Sequence, residues 1–192
     1  VLIFGGVYAA GTFGWGTTTL LIFGIVTSFS AAIGAILGGR LDDRLGSRRK
    51  VLIAGGGTAS LLAVAVTIQP DSILFVPYTS EATLWALPWF NTLPELLYVA
   101  NTQLFAMCIT VAFASARTMM ARIAPPSMMA QFFGLYALSG TATAFLAPLL
   151  VGIFTSAFES QRAGYASLII LLAVGFMLML FVRGERAVAA TR

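Results

Sequence analysis

The sequence predicts an all-α membrane protein with six transmembrane helices, and three observations support this fold class. Apolar residues make up 59% of the 192 residues and charged residues only 9%, whereas soluble proteins contain about 25% charged residues. The apolar residues are gathered into six runs. If these runs cross a bilayer one after another, almost all of the basic residues lie on the same side of it. The chain is therefore expected to lie in a lipid bilayer.

The six spans follow from the length of each apolar run. A helix needs about 20 apolar residues to cross a bilayer, and only the first run is clearly shorter. Because that run begins within an apolar stretch and has no Met, we expect the chain to be a fragment of a longer protein. The domain covers residues 1–186, before a cytoplasmic tail at 187–192. The predicted spans are 1–13, 18–38, 51–68, 93–117, 132–157 and 163–182.

Charge counting supports this map independently of hydropathy. Ten basic residues lie on one side, and Arg162 alone lies on the other. Positive charge in short loops marks the cytoplasmic side, so we expect both chain ends to be inside. The loop at 70–92 has no Lys or Arg, and its aromatic residues are expected at the headgroup level. The ten basic residues are Arg40, Arg44, Arg48, Arg49, Lys50, Arg117, Arg122, Arg183, Arg186 and Arg192.

The loop between the second and third spans carries the most specific pattern in the chain. In chain order, the residues of this pattern are Gly39, Asp43, Arg44, Gly46, Arg48 and Arg49. Carboxylate and guanidinium groups this close can form charge-assisted contacts, and Gly46 permits a tight turn. A simple positive-inside loop is the alternative, although it requires neither the Asp-Arg order nor the glycines. The pattern resembles the loop signature of major facilitator transporters. That resemblance implies a conformational latch, with Asp43 against a helix N-terminus in the other half of the transporter.

Downstream segments resemble the carboxyl half of one branch of that superfamily, which contains the vacuolar effluxers linked to autophagy and their bacterial relatives. The resemblance implies helices seven to twelve of a twelve-helix transporter, with an amino-terminal six-helix half as the missing partner. It also implies amino acids as a substrate class and a bacterial inner membrane as the location. Thr141 and Phe113 depart from the pattern, since relatives often carry Lys or Arg and Gln there. The matching segments are RTMMARIAP at 117–125, FFGLY at 132–136, SGTATAFLAP at 139–148 and SQRAG at 160–164.

Polar residues at helical spacing indicate which faces line a translocation path. Polar groups that face lipid would be unsatisfied, so we interpret such faces as cavity walls. Snorkelling to the headgroups is the alternative for the arginine among them, and helix packing is the alternative for the small residues. The candidates are Tyr8 in the first span, Gln103, Thr110 and Arg117 in the fourth, and Tyr136 and Ser139 in the fifth.

Two further features concern helix packing and shape. Thr27, Ala31, Gly34 and Gly38 form a stripe of small residues on one face of the second span, which predicts close packing against another helix. Pro148 lies inside the fifth span and lacks the N–H that would bond the carbonyl one turn earlier, so it predicts a kink.

The chemistry that is missing from the sequence limits its function. There is no His, and no carboxylate lies deep within a span, so we expect no enzyme site, no metal, no cofactor and no proton relay in this chain. The basic residues sit at helix ends, which argues against nucleic-acid binding. We expect a secondary transporter that moves a small-molecule substrate by alternating access. The alternatives are a complete six-span homodimeric permease or channel, and a membrane scaffold that transports nothing.

Overall fold

A computed structural model describes residues 2–45, 47–78, 83–86 and 88–182, without the side chains of residues 2, 41–45 and 47. Apart from one small hairpin and one 3₁₀ turn, the described elements are α-helices. The hairpin joins β1 (Ser72–Ile73) to β2 (Val76–Pro77) antiparallel, and the 3₁₀ turn is Pro126–Met128. The helices are α1 (Leu2–Phe13), α2 (Thr17–Leu45), α3 (Ser47–Thr67), α4 (Leu93–Ile123), α5 (Met129–Thr143), α6 (Leu146–Phe158) and α7 (Gln161–Phe181).

Five helical segments of the described chain are long and apolar enough to cross a membrane. Helix α1 is also apolar but has only 12 residues, which is less than a full crossing requires. The protein is therefore a multi-pass, all-α membrane protein. The five segments are Thr17–Arg40, Arg48–Thr67, Leu93–Ile123, Pro126–Phe158 and Gln161–Phe181.

The fourth of these segments is interrupted where Pro148 predicts a kink. Helical hydrogen bonding stops between α5 and α6, and the Ala144 N–H donates instead to the Thr141 carbonyl at 3.2 Å. Pro148 has no N–H to donate to the Ala144 carbonyl. The backbone at Ala144 and Phe145 nevertheless keeps right-handed helical angles. The single predicted span at 132–157 thus consists of two helices in one continuous apolar segment.

Helix α4 lies at the centre of one group of helices and packs mainly against α2 and α3. Helix α7 packs against α6 and α3, and α1 contacts α7. Helix α5 contacts little except the end of α4 and the 3₁₀ turn. No residue from Pro126 to Phe158 is buried. One long apolar segment is therefore only lightly covered by the rest of the chain.

The small-residue stripe on α2 packs against α4, so the predicted packing seam is confirmed. A Cβ atom added to Gly34 would lie 2.7 Å from the Met107 Cα, and one added to Gly38 would lie 3.1 Å from the Val111 Cγ2. Thr27 is also buried in this region. Glycine lets the two backbones approach more closely than larger residues permit, and this contact fixes the position of α4.

Candidate functional site

The candidate residues of α4 face its neighbours in different ways. Gln103 is partly buried, and its Nε2 donates to the Thr27 Oγ1 at 3.4 Å. Its Oε1 is buried without a hydrogen-bond partner among the described residues. Thr110 donates to the Ala106 carbonyl at 2.8 Å, as helix threonines commonly do in lipid. Gln103 thus connects α4 to the α2 seam and retains one unused acceptor.

The other polar candidates lie on more open surfaces. Arg117 is exposed, and it forms no ion pair within the part of the chain that the structure describes. On α5, Tyr136 is half-buried and Ser139 is exposed. The Ser139 hydroxyl donates to the Tyr136 carbonyl at 2.8 Å. These three groups remain accessible to a solute or to a second set of helices.

Tyr8 is packed among aromatic rings, which its pattern in the sequence does not indicate. Its ring stacks on Tyr165 with centroids 4.8 Å apart, and it lies 5.8 Å from the Tyr98 ring. The Tyr8 hydroxyl donates to the Ile68 carbonyl at 3.3 Å, while the Tyr98 hydroxyl donates to the Gly5 carbonyl at 2.8 Å. These contacts join α1, α4 and α7 into one core.

Two cavities border α1. The larger, about 590 Å³, lies between α1 and α2, and its polar lining residues are Thr27 and Ser28. Both hydroxyls donate to backbone carbonyls one turn earlier. The smaller, about 290 Å³, lies between α1, α6 and α7 and is bordered by Tyr8 and Tyr165. We refer to the smaller one as the α1–α6–α7 cavity. Neither of these two cavities is lined by more than one of the six candidate residues.

The basic loop residues bind helix ends. The Arg48 Nε donates to the Val182 carbonyl at 2.7 Å, and its Nη2 donates to the Leu180 carbonyl at 3.0 Å. The last carbonyls of α7 have no helical donor, and a cation here supplies one. The negative end of the α7 dipole also stabilises its positive charge. Lys50 is buried and donates to the Gly38 carbonyl. The loop thus fastens α3 to α7 and to α2.

The remaining latch residues are placed only in part. Arg49 is exposed, and Gly39 is exposed with open space around its Cα. Gly46 and the side chains of Asp43 and Arg44 lie outside the described residues. The contact that the resemblance implies for Asp43 therefore remains a prediction.

One polar contact that sequence reasoning missed lies at the other end of the bundle. The Trp15 Nε1 donates to the Glu95 Oε1 at 2.6 Å, and the other carboxylate oxygen accepts from the Thr92 N–H at 3.2 Å and the Thr92 hydroxyl at 3.1 Å. We call this contact the Trp15–Glu95 clasp. The pattern Thr92-x-x-Glu95 before an apolar run is a capping-box signal, so the role of Glu95 at the start of α4 was detectable. Its pairing with Trp15 was not.

Aromatic rings enclose the Trp15–Glu95 clasp. The Trp15 ring contacts Phe90 edge-on with centroids 5.0 Å apart, Phe23 at 5.3 Å and Phe13 at 5.6 Å.

Arg162 lies over the Phe75 ring of the hairpin, with 5.1 Å between the guanidinium carbon and the ring centroid. This is a cation–π arrangement, and it attaches the hairpin to the start of α7.

Comparison with known proteins gave one match. The profile of the family described as "Vacuole effluxer Atg22 like" matches residues 2–192. No curated protein and no solved structure matches the chain.

Proposed function

Because the chain belongs to the vacuole effluxer Atg22-like family, we propose that it is the carboxyl-terminal six-span half of a major facilitator transporter. In this proposal it moves a small solute, with amino acids as the substrate class, by alternating access. Its location is the bacterial inner membrane, with both chain ends in the cytoplasm.

The family match carries the general part of this proposal. It extends over residues 2–192, so the match includes every described helix. The family is one of transporters rather than of enzymes. Five described segments have the length and hydropathy of membrane spans, as a transporter requires. The six-span count depends on α1 being part of a longer apolar helix.

The exposure of α5 and α6 supports the assignment as a half-transporter. The segment Pro126–Phe158 is strongly apolar, and none of its residues is buried. Two-fold related halves surround a midplane site in this superfamily, so a second six-helix half is a suitable partner for this face. Lipid can cover apolar side chains, but it cannot satisfy the Tyr136 hydroxyl.

The polar candidates then divide into two functional groups. Gln103, Thr110 and Arg117 on α4, Tyr8 on α1, and Tyr136 and Ser139 on α5 are proposed to face the solute path. Gly39, Asp43, Arg44, Gly46, Arg48 and Arg49 are proposed to form the latch. The unused Gln103 Oε1 acceptor is suited to an N–H donor that arrives when the helices rearrange, because an unpaired buried acceptor is costly.

Transport by proteoliposomes tests the proposal. The protein encoded by the whole reading frame that contains this chain is reconstituted into liposomes, and residues 1–192 alone are reconstituted in parallel. Exchange of radiolabelled amino acids, dipeptides and sugars is then measured for both proteins. Saturable exchange of amino acids by the longer protein, and none by residues 1–192, is expected. Saturable exchange by residues 1–192 alone would contradict the half-transporter and favour the homodimeric permease. Exchange of sugars only would contradict the substrate class.

A further inference from the structure

The α1–α6–α7 cavity has the mixed apolar and polar lining of a small-molecule site. Its volume is about 290 Å³, just below the range of about 300–1,000 Å³ for sites of drug-sized ligands. Phe4 and Tyr165 provide an apolar wall. Thr155, Ser156 and Gln161 provide hydroxyl and amide groups in the same lining. Apolar walls with a few polar groups are the usual construction of a ligand pocket.

Two polar side chains of this cavity, those of Thr155 and Gln161, are not engaged elsewhere among the described residues. Many described helix hydroxyls donate to a carbonyl three or four residues earlier, including those of Thr102, Ser115 and Thr143. That bond satisfies a hydroxyl in a segment surrounded by lipid. Among the described residues, the side chains of Thr155 and Gln161 make no hydrogen bond. Their donors and acceptors remain available to a ligand.

Close helix contacts hold these two side chains in place. A Cβ atom on Gly11 would overlap the Gln161 amide, so that amide lies directly against α1. A Cβ atom on Gly164 would overlap the Thr155 hydroxyl and would lie 2.9 Å from the Val151 carbonyl, so α6 and α7 are in close contact there. The Gln161 amide thus lies against α1 although the residue is otherwise exposed, and the partly buried Thr155 hydroxyl lies against Gly164 of α7.

The lining also determines the charge of the ligand. None of the residues that line the cavity is charged, and the nearby Arg162 guanidinium lies over the Phe75 ring. A charged ligand would lose part of its hydration without gaining a counter-charge from the lining, and this is unfavourable. An uncharged ligand with a hydrogen-bonding end avoids that cost.

We propose that the α1–α6–α7 cavity binds a small uncharged molecule that carries an amide, carbonyl or hydroxyl group on an apolar body. The polar end contacts Thr155 and Gln161, and the apolar body lies against Phe4 and Tyr165. Such a molecule can come from water as a solute or from the bilayer as a neutral lipid. Binding here does not depend on whether the chain transports amino acids.

A cysteine reporter in the cavity wall tests this proposal. Gly152 borders the cavity, and a Cβ atom on it has open space. Gly152→Cys is placed in a Cys108→Ala background, and the rate of maleimide labelling of the full chain in detergent is measured. Benzamide is expected to slow labelling at least threefold. Benzoate, benzylammonium and toluene, which have similar shapes, are expected to leave the rate unchanged.

Two variants examine the polar wall. Thr155→Val removes the hydroxyl and keeps the shape, so benzamide should lose its protective effect. Thr143→Val is the matched control, because the Thr143 hydroxyl already donates to the Ser139 carbonyl, and benzamide should still protect. Gly11→Ala displaces the Gln161 amide and should weaken protection as well. Equal protection by toluene and benzamide, or full protection in Thr155→Val, would overturn the proposal.

Lipid discs distinguish the two sources of the ligand. Labelling is compared in discs of phosphatidylcholine alone and in discs that also contain diacylglycerol, without benzamide. Slower labelling with diacylglycerol, reversed by Thr155→Val, identifies a neutral lipid. An unchanged rate, together with protection by benzamide in both kinds of disc, identifies a solute. The absence of protection by both benzamide and diacylglycerol would refute binding at this cavity.

Discussion

Trp15 and Glu95 are 80 residues apart, and their hydrogen bond connects the turn after α1 to the first turn of α4. The Trp15 ring is 7% exposed, so it contributes packing as well as a donor. Glu95 also accepts from Thr92, which places a carboxylate at the positive end of α4. One side chain thus starts a helix and fixes a neighbouring turn.

Trp15→Phe should remove the hydrogen bond and keep most of the aromatic packing. We expect a loss of about 1.5–3 kcal/mol in the free energy of unfolding, as for hydrogen bonds to charged groups, measured by thermal unfolding in detergent. Trp85→Phe is the control, because Trp85 is 40% exposed and donates only to the Trp89 carbonyl. Equal effects of the two changes would contradict a special role for the Trp15–Glu95 clasp.

Arg117 allows a second prediction at this scale. If its guanidinium contacts an anionic group of the solute, Arg117→Lys should reduce transport by the longer protein about tenfold or more, because ammonium cannot provide the planar two-pronged geometry. Arg117→Ala should be at least as defective. Expression levels of both variants, measured in parallel, serve as the control for folding. Near-normal transport by Arg117→Lys would instead indicate snorkelling.

Individual residues were predictable from sequence only where the signal is local. The small residues of α2 recur at helical spacing, so a packing seam was predictable, whereas its partners Met107 and Val111 on α4 were found only in the structure. The stacking of Tyr8 on Tyr165 depends on how α1 meets α7, which no local pattern specifies. The use of Arg48 as a cap for α7 depends on two helix ends that are far apart in the chain.

At the scale of helices, the contact between α2 and α4 is set by backbone proximity. Gly34→Ala places a Cβ atom 2.7 Å from the Met107 Cα, and a backbone atom cannot move aside as a flexible side chain can. We expect a destabilisation of about 1–3 kcal/mol in thermal unfolding. In the matched control Gly24→Ala, on the same helix, the added Cβ has no atom within 4 Å.

The control should be neutral or should stabilise the helix by up to about 1 kcal/mol, since alanine is the better helix former. Similar losses in both variants would show that α2 and α4 are not held together at Gly34. The comparison separates helix propensity from helix packing because both changes are glycine to alanine in one element.

Hydropathy was sufficient to locate the apolar helices, and composition was sufficient for the fold class. The interruption between α5 and α6 lies where Pro148 removes a hydrogen bond to Ala144, so its position was also readable. The hairpin was not predicted, because two-residue strands such as Ser72–Ile73 are too short to show an alternating pattern. Helix α1 has the composition of a span but only 12 residues.

At the scale of the whole molecule, the apolar segment Pro126–Phe158 should be covered by a second set of helices. Leu138→Cys, in a Cys108→Ala background, reports on this surface because Leu138 is 64% exposed. Maleimide labelling should be at least tenfold slower in the full reading frame than in residues 1–192 alone. Phe181→Cys is the control, because Phe181 lies at the end of α7 and is 84% exposed. Equal labelling of Leu138→Cys in both proteins would contradict the proposed interface.

The Trp15–Glu95 clasp also gives the protein an internal optical signal. The chain has three tryptophans, and Trp15 is buried while Trp85 is exposed. A shielded indole emits at shorter wavelength and is reached poorly by dissolved quenchers such as iodide, so Trp15 emits in the blue part of the spectrum, and the half-buried Trp89 adds to it. Separation of the turn after α1 from α4 would shift that part to the red, and this motion can therefore be followed by fluorescence without any attached dye.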